Sequence, residues 1–244
     1  MFYQADPSIH KGVTSDEETS GRDDLCLRCI SLWAQGTEKT RLKESFDVLN
    51  EILKTPDRGI PRDLLEKAEC AVVFPSVKKA AFVVGASYGR GVITCRSGQS
   101  FDGPWSAPAM FALEGASFGL QIGGEATDFV LLVMNEKGAE SVMSSKVKLG
   151  ADASAAAGPV GRTASAETDA VMKAEILSWS RAKGVFGGIS LEGSTLRSDD
   201  NANKSLYAQK LNAKEVVREG KVATPEAGKP LIDLLQRTSP KHAH

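Results

Sequence analysis

Ser178 and Lys183 stand in the run Ser178-Trp179-Ser180-Arg181-Ala182-Lys183-Gly184 and are the pair best placed for covalent chemistry. A lysine activates a serine only when it is desolvated and within hydrogen-bond reach. A strand-to-turn Ser-Arg-Ala-Lys-Gly is more often a solvated corner. Ser165, Ser190 and Ser194 lie near glycines but form no GxSxG elbow. His10, His242 and His244 all lie in the tails, so the body offers no histidine as general base, zinc ligand or triad member. No catalytic residue is therefore assigned, and the chain is read as a non-enzyme.

Metal and nucleotide chemistry fare no better. Cys26-Leu27-Arg28-Cys29 is a lone CxxC without a second pair at zinc-site spacing. Together with Cys70 and Cys95 it reads as unpaired cysteines in apolar stretches. Asp199-Asp200-Asn201-Ala202-Asn203 lacks the later glycine and glutamate of a calcium loop, so helix capping is the better reading. Gly85, Gly89 and Gly91 make no GxGxxG and open no helix. Their role is bulges and tight bends in a sheet. No metal and no cofactor is expected.

The remaining chemistry is cationic. Arg41, Lys43, Lys78, Lys79, Arg90, Arg162, Arg181 and Lys183 are candidates to bind phosphate if they converge on one face, and are solubilising if they scatter. The net charge is −1, with six acids against Lys11 and Arg22 in residues 1–24, so the acidic end carries −4 and the rest +3. That surplus is too small for a dedicated nucleic-acid binder.

These side chains need a scaffold. Leu42, Phe46, Leu49 and Leu53 recur at helical spacing and predict a helix over 38–54, whose stripe faces either a membrane or the core. Its polar face is centred on Glu44, Asp47 and Glu51. Pro61 opens a second short helix. Apolar runs at 71–74, 80–86, 91–95, 127–135, 147–157, 162–168, 176–179 and 185–196 predict strands cut by Gly and Pro. Residues 139–145 are ambiguous, Ser198-Asp199-Asp200 caps a helix over 201–218, and 230–237 packs on the body. The fold class is α+β: an antiparallel, barrel-like β core with N-terminal helices and a C-terminal helix packed on it. Residues 1–36 are expected to be an acidic disordered tail or signal remnant, 37–219 the domain, and 220–244 a tail with a short apolar segment. No apolar run reaches the roughly 18 residues of a spanning helix. The chain is expected to be soluble or peripheral to a membrane: cytoplasmic as written, periplasmic if 25–34 belongs to a truncated export signal.

Several motifs in one order carry a resemblance. They are Gly103-Pro104-Trp105-Ser106-Ala107-Pro108, Gly123-Gly124-Glu125-Ala126-Thr127-Asp128-Phe129-Val130, Leu149-Gly150, the stretches 157–162, 179–184 and 186–194, and Ala202-Asn203-Lys204-Ser205-Leu206-Tyr207. Across residues 42–211 the chain resembles the SYLF domain family, in particular its standalone bacterial-type members. The resemblance implies a non-catalytic module that binds anionic, phosphoinositide-like membrane lipids. In fungal members it implies binding to actin filaments. The lipid-binding N-terminal helix of that family corresponds to 38–54 here. The expected partners are thus anionic lipids or a membrane surface, or an actin-like protein, with no nucleic acid. The alternatives are a protein-interaction module or an envelope-associated structural protein in a bacterium.

Overall fold

A computed structural model describes residues 20–55, 59–81, 84–118, 125–160, 171, 173–182 and 185–240, with backbone alone for 20–36, 79–81, 84–85, 116–118 and 125. Helix α1 spans Ser20–Lys54 and α2 spans Arg62–Lys67. The expected helix thus begins well before residue 38. Four long strands follow: β1 Cys70–Ala81, β2 Val84–Cys95, β3 Ala109–Phe118 and β4 Glu125–Val133. The ambiguous stretch near 139 is helix α3, Glu136–Val142, capped by the Asn135 side chain accepting from the Gly138 N–H. Short strands β5 Lys146–Lys148, β6 Ala155–Ala157, β7 Ile176–Ala182, β8 Val185–Gly188 and β9 Thr195–Ser198 complete the sheet. Helices α4 Asp200–Tyr207, α5 Ala213–Val217 and α6 Lys229–Thr238 close the chain.

The central strands are apolar on successive residues because both faces of the sheet are covered. Along β1, Cys70, Val72 and Phe74 point to one core, and Ala71 and Val73 to the other. The same alternation divides Ile93 from Val92, Phe111 from Met110, and Leu131 from Leu132. The first face is covered by Ala139 and Val142 of α3 and by Ala213, Val216 and Val217 of α5. The second is covered by Leu42, Val48, Leu49 and Ile52 of α1, by Leu64 and Leu65 of α2, and by Leu231 and Leu235 of α6. Each Val, Leu, Ile or Phe among them contributes about 1.5–3 kcal/mol when fully buried, so this two-sided burial is the main force holding the fold.

Strand order is β5-β9-β3-β2-β1-β4-β7-β6, with β8 also paired to β7. Among the described residues all strand pairs are antiparallel except β6 with β7. The expected α+β fold is present, its sheet curled into a half-barrel.

Three local expectations need correction. The helix expected over 201–218 is two helices, because Ala208 turns left-handed at φ 54 and Asn212 starts α5 with a capping box to Glu215. The apolar runs 147–157 and 185–196 each divide into two short strands around a turn. Cys70 and Cys95 are not free thiols. The β1–β2 register sets them opposite one another and they form a disulfide. The expected strand 162–168 lies outside the described residues.

Candidate functional site

The site starts at an interruption in β1. Pairing to β2 shifts between Val73 and Lys78, and pairing to β4 shifts between Phe74 and Val77. The extra residues are Pro75, which has no N–H to give a ladder, and Ser76, at φ 53. The Ser76 N–H instead donates to Asp128 Oδ1 at 2.8 Å. Beside this bulge β2 presents Gly89, where a Cβ would stand 2.4 Å from Val77 Cγ2. The bent ribbon and α1 enclose a groove of about 260 Å³ lined by Thr37, Arg41, Glu44, Ser76, Lys78, Tyr88 and Arg90.

The groove's arginines are already engaged. Arg90 Nη2 lies 2.9 Å from Asp199 Oδ2 and 3.8 Å from Glu38 Oε1. Arg41 reaches the same two carboxylates at 3.4 and 3.6 Å, and its Nη1 also contacts Met110 Sδ. Burial, together with nearby Arg90, holds the Arg41 pKa below its usual value, against the pull of Glu38 and Asp199. Two cations and two anions cancel, and the cluster clamps α1, β2 and the start of α4 together. Asp199 Oδ1 also accepts from the Ala202 N–H, as the expected helix cap requires. One turn into α4, the buried Asn203 Oδ1 accepts from the Met110 N–H at 2.7 Å.

The other predicted cations divide. Arg181 is closed on Asp128, with Nε donating to Oδ2 at 2.6 Å, and on Glu51, so it ties β7 to β4 and α1. Lys43 pairs with Asp47 at 2.8 Å on the exposed side of α1. Lys78 is exposed and has no carboxylate partner among the described residues. Arg162, Lys183 and the Lys79 side chain lie outside the described residues. The structure therefore brings Arg41, Lys78 and Arg90 to one groove and leaves Lys43 and Arg181 elsewhere. The acids that close on the arginines (Glu38, Glu51, Asp128 and Asp199) were not singled out as partners in the sequence. Of the two partners open to the stripe, a membrane or the core, it packs on the core: Leu42 and Leu49 are fully buried, and Phe46 and Leu53 pack partly buried against the same cluster.

The glycine-rich motifs build an interlock. Trp179 is buried and donates its Nε1–H to the Pro159 carbonyl oxygen at 2.9 Å. A Cβ on Gly158 would lie 2.1 Å from the Trp179 ring, and one on Gly188 would lie 2.1 Å from the Gly158 oxygen. Ser178 is buried, and its hydroxyl donates to the Ile189 oxygen at 2.6 Å. That bond holds the serine as a structural donor between β7 and the chain after β8.

A second, larger concavity of about 560 Å³ lies on the other side of the sheet, between α3, α5 and the turn near Gln99. It is lined by Gln99, Glu140, Met143, Ser144, Lys214 and Arg218.

Residues 114–238 match the family model described as Ysc84, Las17-binding protein actin regulator. The chain belongs to the Ysc84/SYLF family. The resemblance read from the ordered motifs is thereby established at the level of the family. The chain is 40% identical over 180 residues to an SH3 domain-containing protein of Schizosaccharomyces pombe, covering 72% of this chain and 40% of that protein. It is 32% identical over 209 residues to Protein YSC84 of Saccharomyces cerevisiae, covering 84% of this chain and 43% of that one. It is 30% identical over 210 residues to the SH3 domain-containing YSC84-like protein 1 of Rattus norvegicus, covering 84% and 60%. The chain thus spans roughly half the length of these relatives, which come from yeasts and a mammal. Within the Ysc84 family match lie α3, α5 and most of the larger cleft, whereas the lining of the bulge groove precedes it.

Proposed function

We propose that this chain is a non-catalytic docking module that binds a protein partner in the regulation of actin. The observation that carries this reading is the match of 114–238 to a family described by Las17 binding and actin regulation. The closing of Arg41, Arg90 and Arg181 onto carboxylates of the fold supports it, since such groups act as braces rather than as a catalytic or phosphate-binding set. The test is co-sedimentation of the full chain with actin filaments. Saturable pelleting with filaments is expected, and none without them. Pelleting that is independent of filaments contradicts the reading.

A second reading, binding of anionic phosphoinositide-like lipid, rests on one feature. Lys78, without a carboxylate partner among the described residues, lies beside Tyr88, which is 46% exposed, and Arg90, whose side chain is 41% exposed. On this reading the bulge groove takes a headgroup phosphate. Vesicles of phosphatidylcholine, with and without a phosphoinositide, decide it. Binding that needs the anionic lipid, weakens at high salt and falls on Lys78→Glu supports it. Equal binding to both vesicles rules it out. Salt matters here because screening shortens from about 10 Å at 0.1 M to about 3 Å at 1 M.

A further inference from the structure

We propose that the cleft between α3 and α5 is where the partner protein docks, and that its occupant is a segment of mixed charge. The inference rests on the protein-docking reading above and assigns it a surface.

Three observations support the assignment. First, the walls carry opposite charge: Lys214 and Arg218 lie on one side and Glu140 on the other, around a cleft of about 560 Å³. Lys214 and Glu140 are exposed, and neither forms an ion pair among the described residues. They differ in this from the consumed arginines of the bulge groove. An acid facing the cleft disfavours a uniformly anionic surface, whereas a partner bearing both signs satisfies both walls. Second, the site is set in place before binding. The Arg218 guanidinium donates to the Gly98 and Gln99 carbonyl oxygens and lies 4.0 Å over the Phe101 ring. Met143, which also lines the cleft, is buried in the core and so anchors the end of α3 beside the cleft. Third, Glu140, Met143, Ser144, Lys214 and Arg218 all fall within the stretch that matches the family model.

The experiment measures filament affinity of the full chain for the wild type and for Lys214→Glu, Glu140→Lys, Ser144→Arg and Lys78→Glu. All four positions are exposed, and thermal melts confirm that each variant folds. The three cleft variants are expected to bind about tenfold more weakly, equivalent to about 1.4 kcal/mol, with Lys78→Glu unchanged. Wild-type binding that all three cleft variants retain overturns the cleft while leaving the docking reading intact. Failure of the wild type to bind overturns both. If Lys214→Glu loses binding to anionic vesicles but keeps filament binding, the occupant is a lipid and the inference is wrong.

Discussion

The Asp199 carboxylate lies 2.9 Å from the Arg90 guanidinium while its other oxygen caps α4. Arg41 comes from α1 to Oδ2, the oxygen that holds Arg90. One carboxylate therefore joins three elements. Asp199→Asn keeps a capping oxygen but removes the charge, leaving two guanidinium groups with Glu38 alone. We expect a loss of about 3 kcal/mol, the usual cost of breaking a buried pair from one side. Urea unfolding midpoints measure it, and an unchanged midpoint would show that the cluster is not a brace.

Gly158 and Gly187 make a matched comparison. A methyl group at Gly158 collides with the Trp179 ring, whereas one at Gly187 meets nothing within 4 Å among the described residues. Gly158→Ala should destabilise by about 2 kcal/mol or more and change the Trp179 emission. Gly187→Ala should be near neutral. Equal effects at the two positions would contradict the interlock.

Glu69 carries a pH dependence. It is buried, and burial, reinforced by nearby Glu136 and opposed by Arg96 and Arg218, raises its pKa to about 7. Between the ordinary carboxylate range and pH 7 the folded chain holds a proton that the unfolded chain releases. This contribution to stability is complete below the unfolded pKa and is lost as pH rises through about 7. Glu175 and Glu215, held below the usual range chiefly by hydrogen bonds to Lys137 and Lys221, act oppositely and in a more acidic window. Comparing wild type with Glu69→Gln from pH 5 to about pH 8 isolates the effect. The wild type should lose stability relative to the variant across that interval. Parallel curves would refute the assignment.

The disulfide is separable from the fold. Cys70 and Cys95 are 25 residues apart and are already paired by the β1–β2 ladder. Loop-closure entropy assigns such a link about 3.5 kcal/mol. Reduction, or Cys70→Ala with Cys95→Ala, should lower the unfolding midpoint while leaving far-ultraviolet dichroism unchanged. Loss of the folded spectrum on reduction would show that the sheet depends on the link.

Local physics was readable in the sequence. Val- and Phe-rich runs gave the strands, Asp199 marked a helix start, and the ordered motifs pointed to the family. The continuity of β1 was not readable, because Pro75 looks like a terminator until the bulge lets both neighbours resume pairing beyond it. The balance of charge was also hidden. Arg90 and Arg41 meet Asp199 across 109 and 158 residues, so a scan of local charge finds cations and cannot find what neutralises them. The pairing of Cys70 with Cys95 depended in the same way on strand register. The leucine stripe of α1 was correctly seen, but its choice of partner was fixed only by the sheet beneath it.

The docking account is tested most directly by titrating actin filaments against a fixed amount of the full chain and measuring the bound fraction after sedimentation. It predicts a saturable curve that Lys214→Glu displaces to higher filament concentration. A wild-type chain that stays in the supernatant at every filament concentration would contradict it.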